Sequence, residues 1–212
     1  MLNKVFIRRR LLAFALMFGV IPAAGADAGD LLRQFFTSAV TLHASFRQQV
    51  EDEEGKLLEQ SDGEMWIKRP GKFRWDYRHP GQQQIISNGE KVWIYDQDLE
   101  QVTVKQLNSA LSDAPAMLLA GKGHVDERFH IRPLGARDGM DWLELTPKQD
   151  SAEFTRIEIG FKSGGIRSLQ LTDQFGQTTR ITFENNDINS KLSDDLFAFS
   201  VPENVDVFEV SD

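Results

Sequence analysis

The stretch MWIKRPGKFRWDY, residues 65–77, is the part of the chain that best indicates its fold, because side chains of one kind recur in it at every second position. A period of two is typical of a β-strand, whose successive side chains point to opposite faces of a sheet. Met65, Ile67 and Arg69 therefore share one face of a predicted strand, and Pro70 ends that strand because it has no N–H to donate. Farther along, three aromatic side chains alternate with charged ones: Phe73, Trp75 and Tyr77. The pattern predicts one buried face and one wet face.

Outward from this stretch, further runs of the same kind predict a long succession of strands. The period of two begins at about Ala44, and the later runs are Gln83–Ser87, Val92–Asp96, Gln101–Lys105, Phe129–Arg132, Asp141–Leu145, Phe154–Phe161, Ile166–Thr172, Thr178–Glu184 and Phe197–Val201. Asn88-Gly89, Asp138-Gly139 and Gly164-Gly165 stand where hairpin turns are expected. Because successive strands follow one another without intervening helices, we expect antiparallel pairing rather than parallel crossovers.

Two segments change to the helical period. The first has an apolar stripe at i, i+1, i+4 and i+5, with Asp30 as the expected N-cap. The stripe consists of Leu31, Leu32, Phe35, Phe36, Ala39 and Val40. The second segment, QLNSALSDAPAMLLA at 106–120, interrupts the strands. Asp113 with Pro115 marks a second helix start inside it, and Gly121 ends it.

These patterns predict a mainly β protein with some α-helix, namely an unclosed antiparallel β-barrel, or half-barrel, covered by a lid of about three short helices. Strands of alternating pattern have an apolar face that must be covered. A twisted sheet of about ten strands also tends to curl on itself. A partly filled apolar lumen would accept a greasy ligand. The other interpretation is a lumen packed by the protein's own side chains.

Residues 1–26 have the features of a secretory signal peptide. Lys4 and Arg8–Arg10 form a basic start, Leu11–Ala24 form a short apolar segment, and Ala24-Gly25-Ala26 supplies the small residues for cleavage after Ala26. The alternative is an uncleaved anchor, although a bilayer span takes roughly 20 apolar residues. We therefore expect a mature domain of residues 27–212 in the periplasm, without a lipid anchor of its own because the chain has no cysteine.

The charge balance limits the partners of the chain. The sequence has 32 acidic and 24 basic residues, a formal net charge of −8, and removal of the basic leader makes the charge more negative. Such a charge argues against nucleic acid as a partner and against stable attachment to or insertion in a membrane of anionic lipids. It favours a soluble monomer.

No catalytic or metal-binding constellation stands out, so we expect no enzymatic activity, no metal site and no cofactor. The histidines are scattered, at His43, His79, His124 and His130. The nucleophile-elbow, P-loop and dinucleotide-binding motifs are missing from the sequence. Acidic residues cluster at 51–54, which is typical of a solvated turn. A pair of acids of the glycosidase kind remains an open alternative.

Arg69 is the residue whose position suggests a specific contact. It lies at the rim of its strand, in line with apolar residues, and it has five donors and no acceptor. Its natural partners are carboxylates or the free carbonyls at the C-terminal end of a helix. The more ordinary interpretation is a rim arginine that reaches water. Similarly, apolar residues at helical spacing are more often ordinary core residues than ligand contacts, which applies to Phe35, Phe36, Met117, Leu118 and Leu119.

Six stretches together resemble the LolA family, the periplasmic carriers of outer-membrane lipoproteins. They are HASFRQQV (43–50), GEMWIKRPGKFRWDY (63–77), VWIYDQDLEQVTV (92–104), DAPAMLLAG (113–121), LTPK (145–148) and FGQTTRITF (175–183). The resemblance runs from about Asp30 to Val207, and its most specific part is the IKRP…FRW block with its distance from HASF.

The resemblance implies an apolar cavity for acyl chains beneath the helical lid. It implies that Arg69 holds the lid shut in the ligand-free protein by binding backbone carbonyls near Phe36, Leu119 and Ala120. Phe73 matches the aromatic position with which the family engages its release complex and retains the lipoprotein. The other residues expected at the acyl cavity or a partner contact are Phe35, Met65, Ile67, Trp75, Trp93, Pro115, Met117 and Leu118.

The resemblance also implies a function. The chain would be a periplasmic chaperone that accepts outer-membrane lipoproteins from the inner-membrane ATP-binding-cassette complex LolCDE. It would shield their acyl chains and hand them to the outer-membrane acceptor LolB. A binder of free lipid or glycolipid, or an envelope-stress sensor built on the same half-barrel, remains an alternative.

Overall fold

The computed structural model of the chain describes residues 28–107, 115–121, 125–149 and 154–210. The predicted signal peptide, residues 1–26, lies outside these ranges, and so does Asp113, the predicted start of a central helix.

The described residues form three α-helices and twelve β-strands. In chain order they are α1 (Ala28–Ser38), β1 (Thr41–Glu51), β2 (Leu57–Lys68), β3 (Lys72–His79), β4 (Gln83–Asn88), β5 (Lys91–Asp96), β6 (Gln101–Gln106), α2 (Pro115–Ala120), α3 (Val125–Arg128), β7 (Phe129–Arg137), β8 (Met140–Pro147), β9 (Phe154–Lys162), β10 (Gly165–Asp173), β11 (Thr178–Ile188) and β12 (Asp206–Glu209). Apart from Phe197–Val201, the predicted strands are therefore present, most of them longer than predicted by one to a few residues at an end.

The strands make one sheet in the order β12-β6-β5-β4-β3-β2-β1-β11-β10-β9-β8-β7. The edges β7 and β12 are not paired with each other, so the sheet is unclosed, as the sequence predicts. Every pairing is antiparallel except that of β12 with β6. The two halves of the sheet join through β1, which pairs with β2 on one side and β11 on the other.

The sheet curls strongly toward one face. Trp75 on β3 and Phe183 on β11 are separated by two intervening strands, which would hold them about 14 Å apart in a flat sheet. Their ring centroids are nevertheless 6.1 Å apart, and the Phe46 ring lies 4.6 Å from that of Trp75. Gly63 allows this close packing, because a Cβ there would lie 1.9 Å from the Asp76 carbonyl oxygen and 2.9 Å from the Phe46 ring.

Helices α1 and α2 lie on the inner side of the curl, which we call the helix-covered face. The shared apolar core contains from the helices Leu32, Phe35, Phe36, Ala39, Leu118, Leu119, Ala120 and Val125, and from β1–β4 Leu42, Ala44, Phe46, Met65, Ile67, Phe73, Trp75 and Ile85. The Phe35 ring lies 5.5 Å from that of Phe161 on β9, so α1 reaches the far half of the sheet. The predicted lid of short helices over a half-barrel is confirmed in its placement.

The start of α1 differs from the prediction. Asp30 lies inside the first turn of the helix rather than at its N-cap, and Val40 lies beyond its end and is exposed. Asp30 instead accepts a 2.7 Å hydrogen bond from Arg33 one turn later.

The C-terminal segment contradicts the predicted strand Phe197–Val201. A 3₁₀ turn covers Asp194–Phe197, with the Ser193 hydroxyl accepting from the Asp195 N–H at its start. Phe197 is buried, and Phe199 packs 5.7 Å from Tyr95, both on the side of the sheet opposite the helices, which we call the outer face. The alternation of the two phenylalanines therefore comes from packing against the outer face and not from strand pairing. The chain then adds β12 parallel to β6, so the expectation of antiparallel pairing alone was wrong for this strand.

Candidate functional site

The side chain of Arg69 connects both covering helices to the end of β2. Its guanidinium donates hydrogen bonds to the carbonyl oxygen of Ala39 and, at 2.8 Å, to that of Leu119. Ala39 directly follows α1, and Leu119 lies in the last turn of α2. Carbonyls at a helix C-terminus lack partners within the helix and carry partial negative charge. One cation thus binds the ends of two helices.

The same guanidinium lies between two aromatic rings. It is 4.9 Å from the ring centroid of Phe35 and 4.9 Å from that of Phe36, within the range of cation–π attraction. Burial lowers the pKa of Arg69 to about 10, so the group remains charged at neutral pH. Its Nε is buried and has no hydrogen-bond partner among the described residues. The carbonyls and rings therefore compensate a cation that has lost much of its water.

Main-chain bonds reinforce the contact with both helices. The Gly71 N–H donates to the Ala120 carbonyl at 3.0 Å, and the Arg69 N–H donates to the Val40 carbonyl at 2.9 Å. Gly71 has a φ of +78°, which favours glycine. The turn between β2 and β3 is thus bound to α2 and to the segment after α1 by main chain as well as by side chain.

These contacts differ in detail from the expected carbonyls near Phe36, Leu119 and Ala120. The Leu119 carbonyl does bind Arg69, but Phe36 contributes its ring, and the Ala120 carbonyl binds Gly71 instead. Ala39 was not among the expected residues. The end of the apolar stripe at Ala39 and Val40 was the available signal, although the helix ends slightly earlier, at Ser38, because the carbonyls of a helix become free where the helix ends.

Most residues expected at an acyl cavity lie together on the helix-covered face. They are fully or almost fully buried: Phe35, Met65, Ile67, Phe73, Trp75 and Leu118. Pro115 and Met117 belong to α2, but their side chains lie outside the described residues.

Trp93 does not lie with this group. Its cross-strand partners are Ile86 and Val104, and its ring is 6.0 Å from that of Phe199 on the outer face. The sequence of β5 was ambiguous, because Val92 and Ile94 are as apolar as Trp93 and Tyr95. β5 therefore has apolar residues on both faces, and the C-terminal segment covers Trp93 and Tyr95 on the outer one.

Two lysines beside Arg69 bind the C-terminal segment. The Asp194 carboxylate accepts from Lys68 and Lys72, each at 2.9 Å. These hydrogen bonds, that of Lys72 first, lower the pKa of Asp194 to about 2. The turn that carries Arg69 is therefore held from the inside by the helices and from the outside by the 3₁₀ turn.

The described ranges contain neither a group of side chains that could hold a metal ion nor a helix that could cross a membrane. Within them, no three His, Asp or Glu side chains are grouped so that they could hold a metal ion. None of the described helices combines the length and the apolar character that a membrane crossing requires.

Comparison with known proteins places this architecture in a family. The family model of the outer membrane lipoprotein carrier protein LolA matches residues 37–200. The chain belongs to the LolA family. An outer-membrane lipoprotein carrier protein of Methylococcus capsulatus is 43% identical over 194 residues, covering 92% of this chain and 93% of that protein. One from Nitrosospira multiformis is 40% identical over 197 residues, covering 92% and 94%.

A solved structure shows the same fold at low sequence identity. An uncharacterized conserved protein from Thermus thermophilus is 13% identical and has a TM-score of 0.58, with 86% of this chain and 99% of that chain covered. The LolA fold thus persists where few side chains are shared.

Proposed function

We propose that this LolA-family protein is a periplasmic carrier of outer-membrane lipoproteins, not an enzyme, and that it shields their acyl chains on the helix-covered face. The names of its relatives support lipoproteins as cargo. The observation that carries the proposal is the large apolar face beneath two helices that a single arginine connects to the sheet. A face needed only for stability would not require a charged group at its rim, since burying charge is costly.

Acyl chains can use this face only by displacing the helices. Phe73, Met65 and Ile67 are completely buried in the described conformation. The large helix side chains that now cover the face are Leu32, Phe35, Phe36, Leu118 and Leu119. Exposing each would cost roughly 1.5–3 kcal/mol, whereas each buried CH₂ of an acyl chain contributes ~0.8 kcal/mol. Long chains therefore outcompete the helices, and the helices return when the cargo leaves.

In this proposal Arg69 is a latch, meaning that its bonds hold the helices over the face when no cargo is bound. Each hydrogen bond to a charged group contributes roughly 1.5–3 kcal/mol. Because the ligand binds only open molecules, its apparent affinity falls by the fraction of molecules that are open. The latch thus makes binding weak enough for release.

The carrier would receive cargo from the inner-membrane complex LolCDE and deliver it to the outer-membrane acceptor LolB. This part rests on family membership. If the acceptor does not have to displace covering helices, it binds the acyl chains with a more favourable net free energy than the carrier does. The acyl chains then move from the carrier to the acceptor.

The test is binding of a synthetic triacylated lipopeptide and of its deacylated peptide to the purified protein, followed by fluorescence anisotropy. We expect binding of the acylated form alone, and recovery of the protein in the fluid released by osmotic shock of cells. Equal binding of both peptides would refute the acyl-chain proposal. Retention of a bare glycolipid from envelope extract, with no lipoprotein, would favour a binder of free lipid instead.

A further inference from the structure

The helix-covered face is not apolar along its whole length. Near the turn that carries Arg69, its cross-strand pairs are apolar, such as Ile67 with Phe73 and Met65 with Trp75. Toward the other end of the same strands, the residues on this face become polar. Gln48 pairs with Ser61 and Tyr77 with Gln83. The carboxylates of Glu59 and Asp96 follow on the same face, since Glu59 pairs with Val50 and Asp96 with Gln83.

Hydrogen-bond donors without acceptors lie where the apolar part meets the polar part. The Ser61 Oγ and the Trp75 Nε1 are buried, and neither has a hydrogen-bond partner among the described residues. The Trp75 indole lies near the Tyr77 hydroxyl and opposes the rise in the pKa of Tyr77, but the two groups do not meet the geometry of a hydrogen bond. Buried donors in proteins are normally paired, and an unpaired one destabilises the protein. Trp75 packs against Tyr77, with 6.4 Å between ring centroids, and the Tyr77 hydroxyl binds Gln48, the cross-strand partner of Ser61. Two unpaired donors connected in this way suggest an acceptor supplied by a ligand.

The surrounding groups favour a neutral acceptor over an anion. Burial raises the pKa of Tyr77 to about 12, so its hydroxyl stays neutral and donates at 3.1 Å to the Gln48 side-chain oxygen. A cavity of about 250 Å³ at this end is lined by Gln48, Ser61, Tyr77 and Gln83 and by three carboxylates, Glu59, Asp96 and Asp98. Trp75 does not line this cavity but packs against Tyr77, which does. The negative charge of Glu59 helps to raise the pKa of Tyr77. A free fatty-acid carboxylate would be repelled here, whereas an ester or amide carbonyl would not.

We propose that Ser61 and Trp75 form a subsite that binds the ester or amide carbonyls at the heads of the acyl chains. The proposal rests on the proposed function and adds the orientation of the cargo. The hydrocarbon chains extend from the subsite toward Arg69 and the helices, and the acylated end of the lipoprotein lies at the polar end of the face. The carrier therefore selects acyl chains in ester or amide linkage over free fatty acids.

The experiment compares two probes: a fluorescent lipopeptide with ester-linked palmitoyl chains on its glycerol, and the same lipopeptide with ether-linked chains that lack those carbonyls. Dissociation constants are measured for the wild type, Ser61→Ala and Trp75→Phe. The matched controls are Ser168→Ala and Trp142→Phe, a buried serine and a buried tryptophan on the outer face. The Trp142 Nε1 already donates to the Arg137 carbonyl at 3.0 Å.

We expect the wild type to bind the ester probe more tightly than the ether probe, by roughly two- to tenfold per hydrogen bond. This preference, taken as the ratio of the two dissociation constants, should shrink in Ser61→Ala and Trp75→Phe and persist in both controls. In Ser61→Ala the ether probe should bind as in the wild type, whereas Trp75→Phe, which also trims the apolar face, is judged by the ratio alone. Methyl palmitate should also compete better than palmitate. If Trp75→Phe does not fold, Ser61→Ala alone decides, since it removes one oxygen atom.

Equal binding of the two probes by the wild type would overturn the subsite while leaving the carrier proposal intact. Failure of both probes to bind would overturn the carrier proposal itself. A preference for the ester probe that survives in both inner-face variants would assign the carbonyl contact to other residues.

Discussion

Replacement of Arg69 by leucine tests the latch most directly. The change removes two hydrogen bonds from a charged donor, together worth roughly 3–6 kcal/mol at 1.5–3 kcal/mol each, and leaves the carbonyls of Ala39 and Leu119 unpaired. These values already include the cost of removing the charge from water, the same cost that lowers the pKa of Arg69 to about 10. Because both bonds come from one guanidinium group, we expect a loss of closing free energy at the lower end, about 3 kcal/mol.

A loss of this size would raise the open fraction, and with it the apparent affinity for a triacylated lipopeptide, by about 100-fold. Release to an acceptor should slow correspondingly. The assay combines lipopeptide binding with hydrogen exchange of the amides in α1 and α2, which should be less protected in the variant. Arg69→Lys should be intermediate, because an ammonium group lacks the planar fork that reaches two carbonyls.

The control is Arg167→Leu, which removes an arginine from β10, in the other half of the sheet and separated from β2 by β1 and β11. It should change neither lipopeptide affinity nor exchange in the helices. The latch is refuted if Arg69→Leu keeps the wild-type affinity, the wild-type release rate and the wild-type exchange of α1 and α2.

Three further predictions concern stability. Gly63→Ala should lower the free energy of unfolding by roughly 1–3 kcal/mol or more in urea titrations, because its Cβ would lie 1.9 Å from the Asp76 carbonyl oxygen; an unchanged midpoint would contradict the close approach. The lysines lower the pKa of Asp194 from 3.8 to about 2, so its stabilising effect is present above about pH 4 and lost as the pH falls from 4 to 2. At low salt, the melting temperature of Asp194→Asn should therefore change less between pH 4 and 2 than that of the wild type. Parallel plots of melting temperature against pH for variant and wild type would exclude the effect. Burial raises the pKa of Tyr77 from 10.0 to about 12, so the wild type should lose stability as the pH rises from 10 to 12, by roughly 3 kcal/mol. Tyr77→Phe should lack this loss in urea titrations at pH 9 and 11, and a loss equal to that of the wild type would assign it to other groups.

Much of the site was predictable from local pattern. The alternation around Met65 and Trp75 predicts which side chains share a face, and the position of Arg69 before Pro70 places a cation at the rim of that face. The partner type was also predictable, since helix ends offer free carbonyls to a donor-only side chain. Ala39 was missed as the partner because the N-terminal helix ends earlier than its apolar stripe suggests.

The C-terminal segment shows where local pattern was insufficient. Phe197 and Phe199 alternate like strand residues, but they pack on the outer face, and the last strand pairs parallel with β6. Trp93 illustrates the same difficulty, because apolar residues on both sides of β5 look alike in sequence. Which side faces the helices depends on what covers the other one.

The sequence by itself determined most of the strands, their alternation, the covering helices and the charged rim residue, because these follow from periods of two and 3.6 residues and from the properties of single side chains. Only the tertiary structure decided which carbonyls Arg69 binds, which face Trp93 joins, and where Ser61 and Trp75 leave donors unpaired. Those facts depend on strand register and on the curl of the sheet, which bring together residues far apart in the chain and leave no periodic trace in it.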